Sequence, residues 1–146
     1  ADDISFSLRR LHKPVICKIQ GSVLAGALLL VTNSTHAIAV KEAKFSAPEI
    51  HRGLWPFMVM AGLFRVMPKR AGLDFIMRGQ SIDSDKAEQW GLINQSVSVD
   101  ELEKTVSDYF PPIFCVYVSV RDALELYVSG KQGIVIITKN IHNQQS

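Results

Sequence analysis

The sequence predicts an α/β domain, a sheet covered by helices, and three observations predict it. Short β-branched apolar runs alternate with segments that carry apolar residues at helical spacing. Glycines and other small residues punctuate the passages between them. Apolar residues make up 47 % and charged residues 21 % of the 146 residues, which suits one domain with one core and argues against disorder.

Taken in order, residues 4–11 place Ile4, Leu8 and Leu11 on one helical face, and Pro14 stops that run. Val15 to Ile19 is β-rich and reads as a buried strand ended by Gly21. Ser22 to Gly26 is a small-residue turn, followed by a helix-like run from Ala27 to Thr32. Ala37 to Val40 and Lys44 to Ser46 are two further short strands. Pro48 and Gly53 bracket a loop that contains Glu49. Met58 to Met67 has a helical apolar pattern, and Pro68 suits the start of another helix that closes at Gly79. Asp83 or Ser84 caps the next helix and Gly91 terminates it. Leu92 to Val97 reads as a strand, and an amphipathic helix runs from Asp100 to about Ser107. Beyond Pro111-Pro112, Ile113 to Val120 and Ile134 to Thr138 read as strands and residues 121–128 as a helix. The chain divides into a core segment, 1–108, and a divergent segment, 109–146, that is not separated as a domain.

Several function classes are disfavoured at this stage. Sixteen basic and 14 acidic side chains leave a formal net charge of +2, so little excess that it makes no footprint for nucleic acid. Cys17 and Cys115 sit in apolar runs, without CxxC or Cys/His spacing for zinc, and read as buried thiols in a reducing, cytoplasmic setting. The longest apolar stretch, Val23 to Val31, is shorter than the ~20 residues a spanning helix needs. The N-terminus lacks a signal-peptide pattern, and the chain reads as entering a domain partway through.

Three segments carry a resemblance. Lys13-Pro14-Val15-Ile16-Cys17-Lys18-Ile19-Gln20-Gly21, continuing through Ser22-Val23-Leu24-Ala25-Gly26-Ala27, resembles KPVIAAVNGxALGGG. Ala43-Lys44-Phe45-Ser46-Ala47-Pro48-Glu49-Ile50, with Gly53 and Pro56, resembles AxFGxPExxxGxxP. Gly79-Gln80-Ser81-Ile82, with Ala87 and Gly91-Leu92-Ile93-Asn94, resembles TGxxIxAxxAxxxGLVxxV. Each is weak alone, but order and spacing agree over residues 13–97. Together they resemble the enoyl-CoA hydratase/isomerase (crotonase) family.

The resemblance implies a crotonase fold, repeated ββα units wound into a superhelix, usually assembled as trimers or dimers of trimers. It implies chemistry on acyl-CoA thioesters, with coenzyme A as part of the substrate and no separate cofactor. By position, Gly26 supplies an oxyanion N–H and Glu49 is the general acid/base. Ala25, Leu29, Trp55 and Pro56 fall at substrate-binding positions. The chain also departs from the family. Leu29 stands where the hydratases carry their first glutamate, which tilts the expectation from hydration toward isomerisation by one carboxylate. Thr35 stands for the family aspartate, which removes a polar anchor. Phe57-Met58-Val59-Met60 replaces a GAGG-like stretch and suggests an apolar acyl group. The portion that precedes KPV in the family, with the second oxyanion N–H, is not found, so apolar strand edges are expected to be exposed.

Other residues have plainer accounts. Trp55, Phe57, Met58 and Met60 also fit the packed start of a helix, and His51 reads as a solvent-facing loop histidine. His12, His36 and His142 lack an acidic partner at useful spacing, so no metal is assigned. Arg65, Lys69 and Arg70 either meet coenzyme A phosphates or form a solvated helix face. The alternative to an enzyme is a non-catalytic relative acting in binding or assembly. Thioester hydrolysis, decarboxylation or dehalogenation on the same fold ranks last.

Overall fold

The computed structural model describes residues 8–10, 12–109, 116–121, 129–131 and 134–138. Two successive ββα units organise the first half. The first consists of β1 (Val15–Ile19), β2 (Val23–Leu24), a 3-10 turn (Ala25–Ala27) and α1 (Leu28–Thr32). The second consists of β3 (His36–Val40), β4 (Lys44–Ser46), a 3-10 helix (Pro48–Arg52) and α2 (Phe57–Val66). There follow α3 (Lys69–Arg78), β5 (Ile82–Asp83), α4 (Ser84–Gln89), β6 (Gln95–Val97) and α5 (Val99–Tyr109). The last strands are β7 (Val116–Arg121), β8 (Ser129–Lys131) and β9 (Ile134–Thr138).

Each unit splits its strands between two sheets. The first strands enter a six-stranded sheet of order β6-β3-β1-β7-β9-β8, and the second strands enter a three-stranded sheet of order β2-β4-β5. β1 pairs in parallel with β3, Ile16 opposite His36, and β2 pairs in parallel with β4, Leu24 opposite Ser46. The repeat therefore stacks one unit on the next and keeps equivalent turns side by side.

Burial explains the composition of the central strands. Val15, Ile16, Cys17 and Ile19 of β1 are at most 2 % exposed, because neighbours cover the strand on both faces. Full burial of each such aliphatic side chain contributes about 1.5–3 kcal/mol. Phe45, Leu28, Leu30, Leu63, Phe75 and Ile76 complete the same core. α1 and α2 approach closely where a Cβ on Gly62 would lie 2.9 Å from Thr32 Cβ, so only glycine fits.

Several expectations are corrected. The small-residue turn at 22–26 contains a true strand, because Val23 and Leu24 pair with Phe45 and Ser46. The strand expected from Leu92 begins only at Gln95, since the Leu92 and Ile93 N–H groups bond back to the Ala87 carbonyl. The edge of β1 is not bare: β7 pairs along it from Val15–Val116 to Ile19–Val120. Arg121 belongs to that strand rather than to a helix, and residues 122–128 lie outside the described residues, as does the 4–7 part of the first expected helix. Thr35 does anchor the start of β1: its Oγ1 accepts from the Val15 N–H at 2.9 Å, and its own N–H bonds the Val15 carbonyl at 2.8 Å. Among the described residues, no helix is long and apolar enough to cross a membrane.

Candidate active site

The pairing of β2 with β4 brings the two principal sequence candidates to one end of one parallel strand pair. Beyond Leu24 the chain turns into the Ala25–Ala27 3-10 segment, and beyond Ser46 it turns into the Pro48–Arg52 3-10 helix. Gly26 lies on the first turn and Glu49 on the second. Gly26 is exposed, and a Cβ placed on it would meet none of the described residues within 4 Å. The first N–H groups of a helical run lack intrahelical acceptors, and Gly26 is in that position at the head of the segment that continues into α1. Ala25, just before it, holds φ at +49°, a left-handed conformation that L-residues seldom adopt.

Glu49 was expected in a loop but lies in helical backbone. Pro48 presets the entry to that turn, and Gly53, at φ +72°, closes it. The Glu49 carbonyl accepts from the Leu54 N–H at 3.1 Å. The Glu49 side chain has one oxygen, Oε2, that is buried and has no hydrogen-bond partner among the described residues. Among the described residues it is the one carboxylate in that state. Leaving a buried acceptor unmet costs about 1–3 kcal/mol, so such an atom calls for a functional account.

The Glu49 turn is held from behind. His51 Nε2 lies 3.1 Å from the Gly79 carbonyl oxygen. A carbonyl only accepts, so this nitrogen carries the proton. His51 is solvent-exposed, as expected, and also braces the turn against the end of α3. Gly79, at φ +60°, permits the contact: a Cβ there would come within 2.6 Å of Ile50 Cγ2 and 2.7 Å of His51 Nε2.

The other candidates are placed as follows. Leu29 is half-buried on α1, one turn beyond Gly26, and lines a cleft with Met58, Ala61 and Gly62 of α2. Trp55 and Pro56 lie on the link from the Glu49 turn to α2, and the Trp55 indole N–H donates to Met60 Sδ at 3.2 Å. Phe57 and Met58 do not pack into the core as a helix start would; they are 69 % and 60 % exposed. Arg65, Lys69 and Arg70 are all exposed, and Arg65 also donates to Asn33 Oδ1 at 3.1 Å. Asn33 was not singled out from the sequence, because only the α1–α2 packing brings it to Arg65. No group of three His, Cys, Asp or Glu side chains among the described residues could hold a metal ion.

Comparison with known proteins bears on the family and the fold. The model of the enoyl-CoA hydratase/isomerase family matches residues 2–114. A mevalonyl-coenzyme A hydratase of Aspergillus fumigatus is 34 % identical over 101 residues, covering 66 % of this chain and 36 % of the relative. A probable enoyl-CoA hydratase of Mycobacterium leprae is 32 % identical over 108 residues, covering 71 % of this chain and 36 % of the relative. Among solved structures, an enoyl-CoA hydratase from Mycobacterium smegmatis superposes with a TM-score of 0.69 at 25 % identity, over 73 % of this chain and 41 % of that one. A monofunctional enoyl-CoA isomerase from M. smegmatis superposes with a TM-score of 0.65 at 29 % identity, over 73 % and 50 %. The chain spans about a third of the length of these curated relatives.

Proposed function

The chain belongs to the enoyl-CoA hydratase/isomerase family and has its crotonase fold, and from that premise we propose that it handles acyl-CoA thioesters with a single carboxylate, Glu49. The unpartnered, buried Oε2 of Glu49 is the observation that carries this reading. A 3-enoyl thioester binds with its carbonyl oxygen against the Gly26 N–H. Glu49 takes a proton from the α carbon, and the charge moves to the thioester oxygen as a dienolate. The same carboxyl returns the proton at the γ carbon, giving the 2-enoyl thioester with atoms and electrons balanced. Leu29, at the position of the family's first glutamate, favours this isomerisation over hydration because it offers no group to activate water.

A trimeric assembly and a place in fatty-acid metabolism go with the same reading. The exposed apolar side chains Leu54, Phe57 and Met77 support self-association. Sedimentation of the purified chain checks the assembly, and a monomer at micromolar concentration counts against it.

The test follows 3-enoyl to 2-enoyl isomerisation and crotonyl-CoA hydration by the purified chain, with Glu49→Gln as control. Isomerisation that disappears in the control supports the assignment. Equal rates in both proteins remove Glu49 from the mechanism. A second reading, a non-catalytic relative that binds thioesters, is favoured by Leu29 and Thr35 at the family's carboxylate positions; acyl-CoA binding without turnover of any ester would select it.

A further inference from the structure

The cleft between α1 and α2 has a sharp division of character. Leu29, Met58, Ala61 and Gly62 form an apolar stretch, and Arg65, Asn33 and Arg9 supply a basic, polar part. These residues line an open cleft of about 140 Å³. An apolar cavity of about 150 Å³ takes a benzene-sized group, so roughly six carbons fit here. Among the described residues, no acidic side chain lines the cleft.

The polar part is built rather than incidental. Asn33 Nδ2 donates to the Leu29 carbonyl at 2.7 Å, which fixes its amide so that Oδ1 faces Arg65 and accepts from Nη1 at 3.1 Å. Asn33 thereby holds the guanidinium at the cleft. This bond takes one of five N–H donors, and the planar fork suits a carboxylate. Along the helix, Leu29 and Asn33 are one turn apart, about 6 Å, and Gly26 lies roughly a turn before Leu29. Gly26 to Asn33 is thus about 11 Å, so an extended acyl chain running from a thioester at Gly26 past Leu29 reaches Arg65 after about eight carbons, the later ones lying in the cleft.

We propose that this cleft selects acyl groups whose far end carries a carboxylate, of about the length of an eight-carbon dicarboxylic acid, with Arg65 as the specificity-determining residue and Asn33 as its positioning residue. The inference rests on the acyl-CoA reading above and specifies its substrate class. Coenzyme A phosphates share the anionic chemistry, and the experiment separates the two sources.

Binding of the saturated esters suberoyl-CoA and octanoyl-CoA to the full chain is measured by titration calorimetry, which needs no turnover. A charge-assisted bond predicts that suberoyl-CoA binds tighter by about tenfold or more. Arg65→Gln should bring suberoyl-CoA down to the affinity of octanoyl-CoA, and Arg65→Lys should recover part of the difference. Circular dichroism shows whether each variant is folded. Equal affinity of the two esters in the parent protein overturns the proposal and leaves the acyl-CoA reading standing. An equal loss for both esters in Arg65→Gln also overturns it, by assigning the arginine to the phosphates. Failure of either ester to bind the parent protein overturns the acyl-CoA reading itself, and this proposal with it.

Discussion

Leu24 lies directly opposite Ser46 in a parallel pair, and within three residues of each the chain reaches Gly26 on one side and Glu49 on the other. The two candidate catalytic groups share a strand end because the ββα unit repeats. Among the described residues, Gly26 has no neighbour within 4 Å of where a Cβ would stand, and Glu49 offers a buried carboxylate oxygen without a partner. General acid/base catalysis contributes about 10²–10⁴-fold, so Glu49→Gln should lower isomerisation by that order. Its melting temperature should stay close to that of the parent, because the lost group had no partner at Oε2. Steady-state rates and thermal melts check both halves. A variant that loses its fold together with its activity would show that Glu49 is structural.

Ala25 carries left-handed backbone at φ +49° immediately before Gly26. That conformation costs an L-residue about 1–2 kcal/mol, while glycine adds unfolded-state entropy worth about 0.4–1 kcal/mol. Ala25→Gly should therefore stabilise the fold by roughly 0.5–1 kcal/mol. Urea denaturation measures this, and a destabilised variant would mean that the turn is not strained at Ala25.

Gly79 should tolerate no side chain. A methyl group there meets Ile50 and His51, the residues that follow Glu49, and φ is +60°. Gly79→Ala is expected to cost about 2 kcal/mol or more, since backbone strain and overpacking each contribute about 1–3 kcal/mol. The displaced Glu49 turn should also lower kcat more than it raises KM. His51→Ala, which removes the brace without adding bulk, should lower kcat with a smaller loss of stability. Unchanged kcat in both variants would detach the α3 end from the site.

Cys17 in β1 is fully buried, and its thiol is pushed from 9.0 up to about 12 by burial, with the Ser34 hydroxyl opposing the shift. The folded state therefore holds the proton more tightly than the unfolded chain. The associated stability is fully present below about pH 9 and is lost as pH rises toward 12. Between those limits stability should fall by about 1.4 kcal/mol per pH unit from this group. Denaturation at pH 8 and pH 10 should show a steeper alkaline loss in the parent than in Cys17→Ala. Alkylation at pH 8, located by peptide mass spectrometry, should leave Cys17 unmodified until the protein unfolds. Rapid labelling of the folded chain would contradict its burial.

Much of the fold was legible in the residues because the signals are local. The apolar run of β1 and the Asp83 cap each follow from neighbouring residues; Asp83 Oδ1 accepts from the Lys86 N–H at 2.7 Å. Pro48 and Gly53 likewise marked the turn that presents Glu49, although its helical backbone was missed, since a single 3-10 turn has no periodicity to read. Phe57 and Met58 were misjudged because apolar character does not say which side of a helix meets a neighbour.

What the sequence by itself determined was the set of residue types and their order: one glutamate behind a proline, small residues around Gly26, a leucine where a second carboxylate was expected. Tertiary structure alone decided which of them meet. β2 has two residues and carries little strand signal of its own, yet its pairing with β4 puts Gly26 and Glu49 on turns at one end of the same strand pair. The β7 strand on the edge of β1, the Thr35 hydroxyl on Val15 and the Arg65–Asn33 clasp are likewise contacts between distant segments. Such contacts depend on the packing of whole elements, and a residue's immediate neighbours in the chain do not encode them.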